Sequence, residues 1–307
     1  MIGAAVEAAG RIKIGCSYTI ARPEPEDRLQ SSGLPGMSPT ATKLTGRLRA
    51  LWAYGGFVAG MVARDFRGRY LGSVLGASWA VLNPVAQILI YTLVFSQVMR
   101  ARLPNIQDTL AYGLYLCAGI LTWSYFVEVL TRSQTVFLEQ ANMLKKASFP
   151  RVTLPAYVFF SATVNFTLVW GLFLAFLYLS GRWPGWVLVG LLPLLVVQQA
   201  LAVGLGLALG VINVFFRDVA HAIAIGLQFW FWLTPIVYPL SVVPDGVRDV
   251  MTWNPLYALV DSYQGIVVEH RWPAWSHLWL VLAVTLAVTV IAESVFRRLG
   301  PAMVDEL

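Results

Sequence analysis

Charged residues are scarce in this sequence. Asp, Glu, Lys and Arg make up 12% of its 307 residues and hydrophobic residues 58%, whereas a globular domain usually carries about 25% charged residues. A soluble protein of this length could not cover its surface with so few charges. The stretch Val74–Met99 contains no charge at all, and a helix needs about 20 apolar residues to cross a bilayer. The sequence therefore predicts an all-α polytopic membrane protein, because a membrane β-barrel would show short alternating segments instead.

Residues that bind metals or nucleotides are also few. Cys16 and Cys117 lie too far apart for a disulfide framework or a zinc site, and the three histidines are scattered without the spacing of metal ligands. No G-x-x-x-x-G-K-[ST] motif is present. The stretch "GLGLALG" at 204–210 lacks the lysine and is typical of close helix packing. We therefore expect no metal and no cofactor in this chain, and no hydrolysis of ATP by the chain alone.

Acidic residues inside the predicted spans are few as well. Glu128 and Glu293 are predicted to be isolated and to lie near the cytoplasmic ends of their spans, where a carboxylate can reach the headgroups. No span carries a group of carboxylates or histidines that could relay protons. If the protein is a pump, its energy is therefore expected to come from another chain rather than from an ion gradient.

The first 50 residues differ from the rest. The stretch "RPEPEDRLQSSGLPGMSPTATK" is rich in Pro, Ser and charge, and it predicts a disordered cytoplasmic tail over residues 1–50, with Met37 as an alternative start. A transmembrane domain is predicted over residues 51–300, with residues 301–307 as a cytoplasmic C-terminus. The six predicted spans cover residues 77–99, 110–132, 153–179, 186–212, 219–240 and 274–295.

The basic residues set the predicted orientation. An even number of spans puts both termini on one side, and Lys and Arg are more numerous on that side, so both termini are predicted to be cytoplasmic. The same bias accounts for the net charge of +6 without nucleic acid as a partner. Four tryptophans fall at the predicted outer edges, as in an aromatic belt: Trp183, Trp186, Trp272 and Trp275.

An arginine-rich stretch, "RDFRGRYLGS" at 64–73, directly precedes the first predicted span. Val62, Phe66 and Tyr70 recur every four residues, which is the spacing of one helical face, and the arginines beside them can reach toward headgroups. We predict an interfacial helix over residues 61–75 on the cytoplasmic leaflet. The alternative is that these arginines only anchor the topology.

Two connections are too long to be simple turns. Ser133–Val152 is predicted to be cytoplasmic, and its basic, amphipathic stretch "NMLKKASFPRVTLP" is either a topological anchor or a docking helix for a partner. Ser241–Pro273 is predicted to be external. Its apolar stretch Leu256–Val268 is too short to span, so we predict short re-entrant helices over residues 242–272 between spans 5 and 6.

Aromatic residues cluster near the end of the fifth predicted span. The stretch "QFWFWLTPIVYP" at 228–239 holds five of them beside two prolines. Aromatic faces stack on sugar rings, but they are equally common in cores and in the belt, and both interpretations remain open. Residues of a helix follow each other at about 100°, so Trp230 and Trp232 cannot both face a pathway.

Four stretches resemble, in order, the membrane subunits of ABC-2-type polysaccharide exporters, which export O-antigen, teichoic acid or capsular polymer. They are "RDFRGRYLGSVLGASWAVLNP", "NMLKKASFPRVTLP", "FFRDVAHAIAIGLQFWFWLTPIVYP" and "NPLYALVDSY". The resemblance implies a permease of the bacterial inner membrane that exports a lipid-linked polysaccharide through a homodimeric channel. It also implies two cytoplasmic ATPase subunits as partners, which would bind ATP and Mg²⁺.

The resemblance also implies site residues. External helices would gate the channel, and the ATPase would dock on the interfacial helix, on the 139–151 loop and on the turn at 215–218. Candidate residues of the substrate pathway are Trp123, Gln228, Phe229, Trp230, Trp232, Tyr238, Tyr257 and Tyr263. Candidate ATPase-docking residues are Arg64, Asp65, Arg67, Arg69, Glu139, Asn142, Lys145, Lys146, Phe149, Arg151, Arg217 and Asp218.

The substrate is the least determined part of the prediction. O-antigen is favoured because "KKASFPRVTLP" and "FWFWLTPIVYP" are most similar to that branch, with capsular polymer or teichoic acid as alternatives. A drug or lipid exporter of the same fold is a further alternative. A membrane glycosyltransferase or polymerase would need catalytic carboxylates or a metal at the membrane face, and Asp65 and Asp218 are the only candidates.

Overall fold

The computed structural model describes residues 54–70, 75–95, 109–146 and 153–306, and within these ranges the chain forms helices and turns without a strand. The predicted tail at residues 1–50 lies outside them. The α-helices are α1 (Gly55–Tyr70), α2 (Trp79–Leu93), α3 (Thr109–Glu139), α4 (Ala141–Lys146), α5 (Thr153–Leu179), α6 (Leu191–Phe215), α7 (Asp218–Leu233), α8 (Asp245–Thr252), α9 (Pro255–Gln264) and α10 (Trp275–Glu306). Short 3₁₀ turns lie at Gly76–Ser78, Gly185–Gly190 and Leu240–Val242, and a π turn follows α9 at Gly265–Glu269.

Four helical segments are long and apolar enough to cross a membrane: Leu110–Glu139, Thr153–Leu179, Gly185–Phe215 and Trp275–Gly300. Two shorter apolar helices are Trp79–Leu93 and Asp218–Leu233. At 1.5 Å per residue these two are only about 22–24 Å long, against a hydrocarbon core of about 30 Å. The all-helical membrane fold is thus confirmed for the described residues, with four of the six predicted spans at full length.

The long helices alternate in direction. Late residues of α2 contact early residues of α3, as shown by Thr92 beside Gly113, so these helices are antiparallel. Helices α3, α6 and α10 run the same way, because the contacts along α6 advance from Thr122 to Ser133 in α3, and from Pro273, just before α10, to Val288. One end of the molecule therefore gathers α1, the ends of α3, α6 and α10, and the beginnings of α5 and α7.

Glycines allow α6 to lie directly against α3. A Cβ added at Gly210 would sit 2.9 Å from the backbone oxygen of Ser133, and one added at Gly206 would sit 2.6 Å from that of Leu130. The interpretation of "GLGLALG" as a packing motif is confirmed. This contact also explains why α3 continues to Glu139 rather than ending near Arg132 as predicted, since Val136 and Phe137 are buried and extend the apolar face.

A helix is present at the position predicted for an interfacial helix, but it begins earlier than predicted. Helix α1 begins at Gly55, six residues before the predicted start at 61, and ends at Tyr70. Val58 and Met61 are buried in a separate apolar cluster with Phe137 of α3 and Leu154 of α5. Val62 of the four-residue repeat packs against the same cluster, and Val58 lies one turn before it, so the covered face of α1 includes the predicted one.

Helix α7 ends at Leu233, although the predicted span continued to residue 240. Thr234 adopts an extended conformation with ψ 124°, as expected for the residue before a proline, and Pro235 ends the helix. At the C-terminal end of the described residues, α10 continues to Glu306 and so includes most of the C-terminal segment predicted at residues 301–307.

Candidate functional site

Four charged side chains join α1 to α3. Arg69 of α1 donates to Asp65 one turn earlier at 3.1 Å and to Glu128 of α3 at 3.2 Å. Arg132 of α3 donates to Asp65 at 2.8 Å and lies 3.5 Å from Glu128. We call these residues the ion cluster. Its two arginines and two carboxylates contact one another, so the formal charges balance.

Helix α5 completes the ion cluster. Ser161 donates to Asp65 at 2.6 Å, and Asn165 donates to Glu128 at 2.5 Å. Burial alone would raise the pKa of Asp65, but the hydrogen bond from Ser161 and the charges of Arg132 and Arg69 outweigh burial and hold this pKa below its usual range. The cluster therefore ties α1, α3 and α5 together in its ionised form.

The prediction that Glu128 and Glu293 are isolated was wrong. Glu128 lies in the ion cluster, and Glu293 pairs with Arg297 one turn later on α10. The sequence held a signal for the cluster, since Asp65 and Arg69 form an i,i+4 pair of opposite charges. Glu128 and Arg132 form a second i,i+4 pair. Only the packing of α1 on α3 shows that the two pairs meet.

An open groove of about 630 Å³ runs between α2, α3 and α7. Its lining combines aromatic rings with amides and hydroxyls, and none of its described lining residues is charged. The aromatic residues are Tyr91, Trp123, Phe231 and Trp232, and the polar ones are Gln87, Ser124, Thr131 and Gln228. We call this surface the aromatic groove. It offers flat apolar faces and neutral hydrogen-bonding groups along one side of α3.

The side chains of Trp230 and Trp232 on α7 face different ways, as their helical spacing predicts. Trp230 is half-buried against Trp123 and Phe126 of α3, with ring centroids 6.4 and 5.6 Å away, and its indole donates to Asn254 at 3.0 Å. Trp232 is 63% exposed and lines the aromatic groove. Of the pair, Trp232 therefore presents its ring to the groove, and Trp230 fastens α7 to its neighbours.

The other pathway candidates fall into two groups. Trp123 and Gln228 line the aromatic groove, whereas Phe229 is exposed outside its lining. Tyr238 donates to the backbone oxygen of Trp232 at 2.6 Å and fixes the chain after Pro235. Tyr257 is half-buried and Tyr263 is fully buried against Trp170, so neither lines the groove.

The segment after α7 is fastened by two amide side chains. Asn254 caps α9 by accepting from the backbone N–H of Leu256 at 3.1 Å, and it donates to Thr234 at 2.8 Å. Gln264 donates to the backbone oxygens of Ile236 and Tyr115, both at 3.2 Å. The predicted short helix near 256–268 is thus present as α9 and its π turn, and it packs on α3 and on the end of α7.

The described docking candidates lie at the end of the molecule that gathers α1 and the ends of α3 and α6. Arg64 and Arg67 are exposed on α1, whereas Asp65 and Arg69 are engaged in the ion cluster. The exposed residues at this end also include Glu139, Asn142, Lys145, Arg217 and Asp218. The side chain of Lys146, and Phe149 and Arg151, lie outside the described residues.

Comparison with known proteins agrees with this architecture. The family model described as "ABC-2 type transporter" matches residues 58–268. The chain belongs to the ABC-2 type transporter family. The match covers α1, all the helices around the aromatic groove, and α9, so both the ion cluster and the groove lie within the family domain.

Relatives of this ABC-2 chain are named for O-antigen export or for polysialic acid transport. The O-antigen export system permease protein RfbA of Myxococcus xanthus is 34% identical over 252 residues, which cover 81% of this chain and 95% of that protein. RfbA of Klebsiella pneumoniae is 27% identical, covering 77% of this chain and 89% of that protein. The polysialic acid transport protein KpsM of Escherichia coli is 23% identical, covering 80% and 94%. The family resemblance inferred from the four sequence stretches is confirmed.

Proposed function

We propose that this ABC-2 chain is the permease subunit of an ATP-driven exporter that moves a lipid-linked polysaccharide, with O-antigen favoured, across the inner membrane. The aromatic groove is the observation that carries the proposal. A sugar polymer has alternating apolar faces and hydroxyls, which match aromatic rings and neutral amides. The absence of charge among the described lining residues suits passage of a neutral chain that must slide rather than bind tightly.

A second copy of the chain is the proposed cover of the groove. Gln87, Ser124 and Gln228 would lie at membrane depth, where polar groups facing lipid are costly. They must therefore face protein or water. A homodimer in which two aromatic grooves face each other would enclose a wide polar pathway and keep these amides away from lipid.

The proposed topology has six spans and cytoplasmic termini. Helices α2 and α7 would be the first and fifth spans, shortened because both border the groove rather than the outer bundle. The alternating helix directions place α1 and the end of α10 at the same end of the molecule, as cytoplasmic termini require. The exposed Trp183, Trp186, Trp272 and Trp275 lie on the connections at the other end, which supports the external side there. Helix α9 and its neighbours would form the gate over the channel mouth.

The proposed energy source is a pair of cytoplasmic ATPase subunits. They would contact the exposed docking candidates on α1, on α4 and at the turn between α6 and α7. Motion of α1 would reach α3 through the ion cluster, because Glu128 and Arg132 directly follow Val127 and Thr131, which line the groove. Closure of the ATPases would thus act directly on a groove helix.

The choice of O-antigen is supported by the order of similarity, since the RfbA relatives match at 34% and 27% and KpsM at 23%. Capsular polymer and teichoic acid remain the alternatives within the proposal. A drug exporter of this fold has less support, because its substrates would not require a long groove with hydrogen-bonding groups along one helix.

Deletion of this permease in its native host tests the proposal. Cells without it should retain lipid-linked polymer at the inner membrane and lose it from the surface, and the restored gene should reverse both effects. A glycosyltransferase or polymerase would leave no full-length polymer to accumulate. Normal surface polymer with altered drug susceptibility would contradict the proposal in favour of a drug exporter.

A further inference from the structure

A second cavity of about 240 Å³ lies behind the aromatic groove, between α2, α3 and α5. It shares Gln87 and Ser124 with the groove, so the two spaces meet at these side chains. We call it the side pocket. Its volume lies just below the roughly 300–1,000 Å³ of pockets that take drug-sized ligands, so it can take one sugar ring but no chain.

The walls of the side pocket change from charged to aromatic along its length. Arg69 and Glu128 of the ion cluster line one end, and Asn83 and Asn165 add amides beside them. Tyr125, Phe166 and Trp170 form an aromatic wall, with Phe166 stacked on Trp170 at a centroid distance of 5.6 Å. Planar polar groups facing aromatic rings match the hydroxyls and the apolar face of a sugar.

Two buried polar atoms of this wall, the Tyr125 hydroxyl and the Trp170 N–H, have no hydrogen-bond partner among the residues that the structure describes. Trp170 is only 3% exposed, and its indole N–H has no hydrogen-bond acceptor among the residues that the structure describes. A buried donor without an acceptor costs about 1–3 kcal/mol. Trp170 lines the side pocket, so an oxygen of a bound ligand would remove this cost once the indole turns its N–H toward the pocket.

The ion cluster argues against an anionic ligand. Arg69 and Arg132 are both paired with carboxylates, so a phosphate would meet as many negative as positive groups and gain no net attraction. A neutral ligand with several hydroxyls can instead accept from Trp170 and donate to Glu128. The lipid-carrier phosphate is therefore the less favoured occupant.

We propose that the side pocket binds a single sugar unit of the polymer, turned out of the aromatic groove, and so selects which polysaccharide the permease accepts. This inference rests on the proposed function, because the groove must carry the polymer for one of its sugars to reach the pocket. Gln87 and Ser124 would contact the sugar on its way in, and Trp170 would be a specificity-determining residue.

Photocrosslinking in cells that make the native polymer tests the inference. p-Benzoylphenylalanine would replace Trp79, a half-exposed residue of the side pocket, Trp232 in the groove, or Phe160, which is 52% exposed on α5 and lines neither space. We expect polysaccharide attached to the permease after irradiation at positions 79 and 232 but not at 160. Crosslinking at 232 alone would overturn the side pocket and leave the proposed function intact, and crosslinking at neither would contradict both. Attachment at all three positions would mean non-specific capture and would overturn the inference.

Two further arms test the role of Trp170 and the nature of the ligand. Trp170→Phe keeps an aromatic ring and removes the N–H. It should lower the amount of polysaccharide crosslinked at position 79 about 3- to 10-fold, as expected for the loss of one hydrogen bond, without changing the amount crosslinked at position 232. The matched control is Tyr263→Phe, which removes a buried hydroxyl without a partner among the described residues, from a ring that packs on Trp170 but does not line the pocket. Equal losses in both variants would indicate altered packing and overturn the role of Trp170. Crosslinking at 79 in cells that hold the carrier lipid but no polymer would identify the carrier as the occupant and overturn the sugar site.

Discussion

Arg69 and Glu128 stand 59 positions apart in the sequence, and their side chains form an ion pair of 3.2 Å between α1 and α3. Arg69 lies on the helix that carries exposed docking candidates, and Glu128 lies on the helix that lines both the aromatic groove and the side pocket. Together with the Asp65–Arg132 pair at 2.8 Å, this pair connects α1 to the helix that would meet the substrate.

Removing Glu128 should separate ATP hydrolysis from export. In Glu128→Gln, Arg69 and Arg132 lose a charged acceptor, which costs about 1.5–3 kcal/mol for hydrogen bonds to a charged group. We expect assembly with the ATPase to persist, while polymer exported per ATP hydrolysed falls severalfold. Glu293→Gln is the control, because it neutralises a carboxylate that pairs with Arg297 on α10, outside the ion cluster, and it should leave this ratio unchanged. Equal coupling in the wild type and Glu128→Gln would show that the cluster has only a structural role.

Acid should weaken the protein through Asp65. The pKa of its carboxyl group in the folded protein lies below the ordinary value of 3.8, so the ionised form is the one that folding stabilises. This contribution is complete above about pH 4–5 and is lost as the pH falls through the folded pKa. Thermal unfolding between pH 6 and 3 should therefore show a steeper loss of stability in the wild type than in Asp65→Asn. Parallel curves would refute this assignment.

Adding one methyl group at Gly210 should destabilise the bundle. In Gly210→Ala the new Cβ would approach backbone oxygens of α3 at 2.9 and 3.0 Å, so α3 and α6 must move apart, at a cost of about 1–3 kcal/mol. Gly226→Ala is the matched control, because nothing lies within 4 Å of its added Cβ and alanine favours helix. The melting temperature of the purified protein should fall in the first variant only.

Trp230 should matter for stability rather than transport. Its ring packs on Trp123 and Phe126 and its N–H binds Asn254, so Trp230→Ala should cost about 3 kcal/mol. The yield and melting temperature should fall while export per folded molecule stays near normal. A normal melting temperature with reduced export would place Trp230 in the pathway instead.

The sequence predicts those helix ends that are set by residues nearby in the chain. The apolar run at 153–179 is bounded by polar residues, and helix α5 has these bounds. The end of α7 could also have been found, since Pro235 marks it, but the aromatic run extended the predicted span to residue 240. The spacing of Trp230 and Trp232 predicted that they face different ways, although only packing decided which one faces the groove.

The ion cluster and the side pocket could not be predicted in the same way. Each depends on three helices that are distant in the chain, and Asn83, Ser124, Asn165 and Trp170 carry no motif of their own. Their shared surface exists because α2 and α5 both pack on α3. From the sequence, Arg132 contributes only to the excess of positive charge on the predicted cytoplasmic side, which a basic residue near the end of any span would also do.

The most direct test of the central claim is the rate at which polymer reaches the cell surface, divided by the amount of folded permease, in Trp232→Ala and Trp186→Ala. Both positions carry exposed tryptophans, at 63% and 87%, but only Trp232 lines the aromatic groove. If the groove conducts the polymer, Trp232→Ala should slow export or shorten the exported chains severalfold, and Trp186→Ala should match the wild type. Equal export by the two variants at equal amounts of folded protein would contradict the assignment of this groove as the polysaccharide pathway.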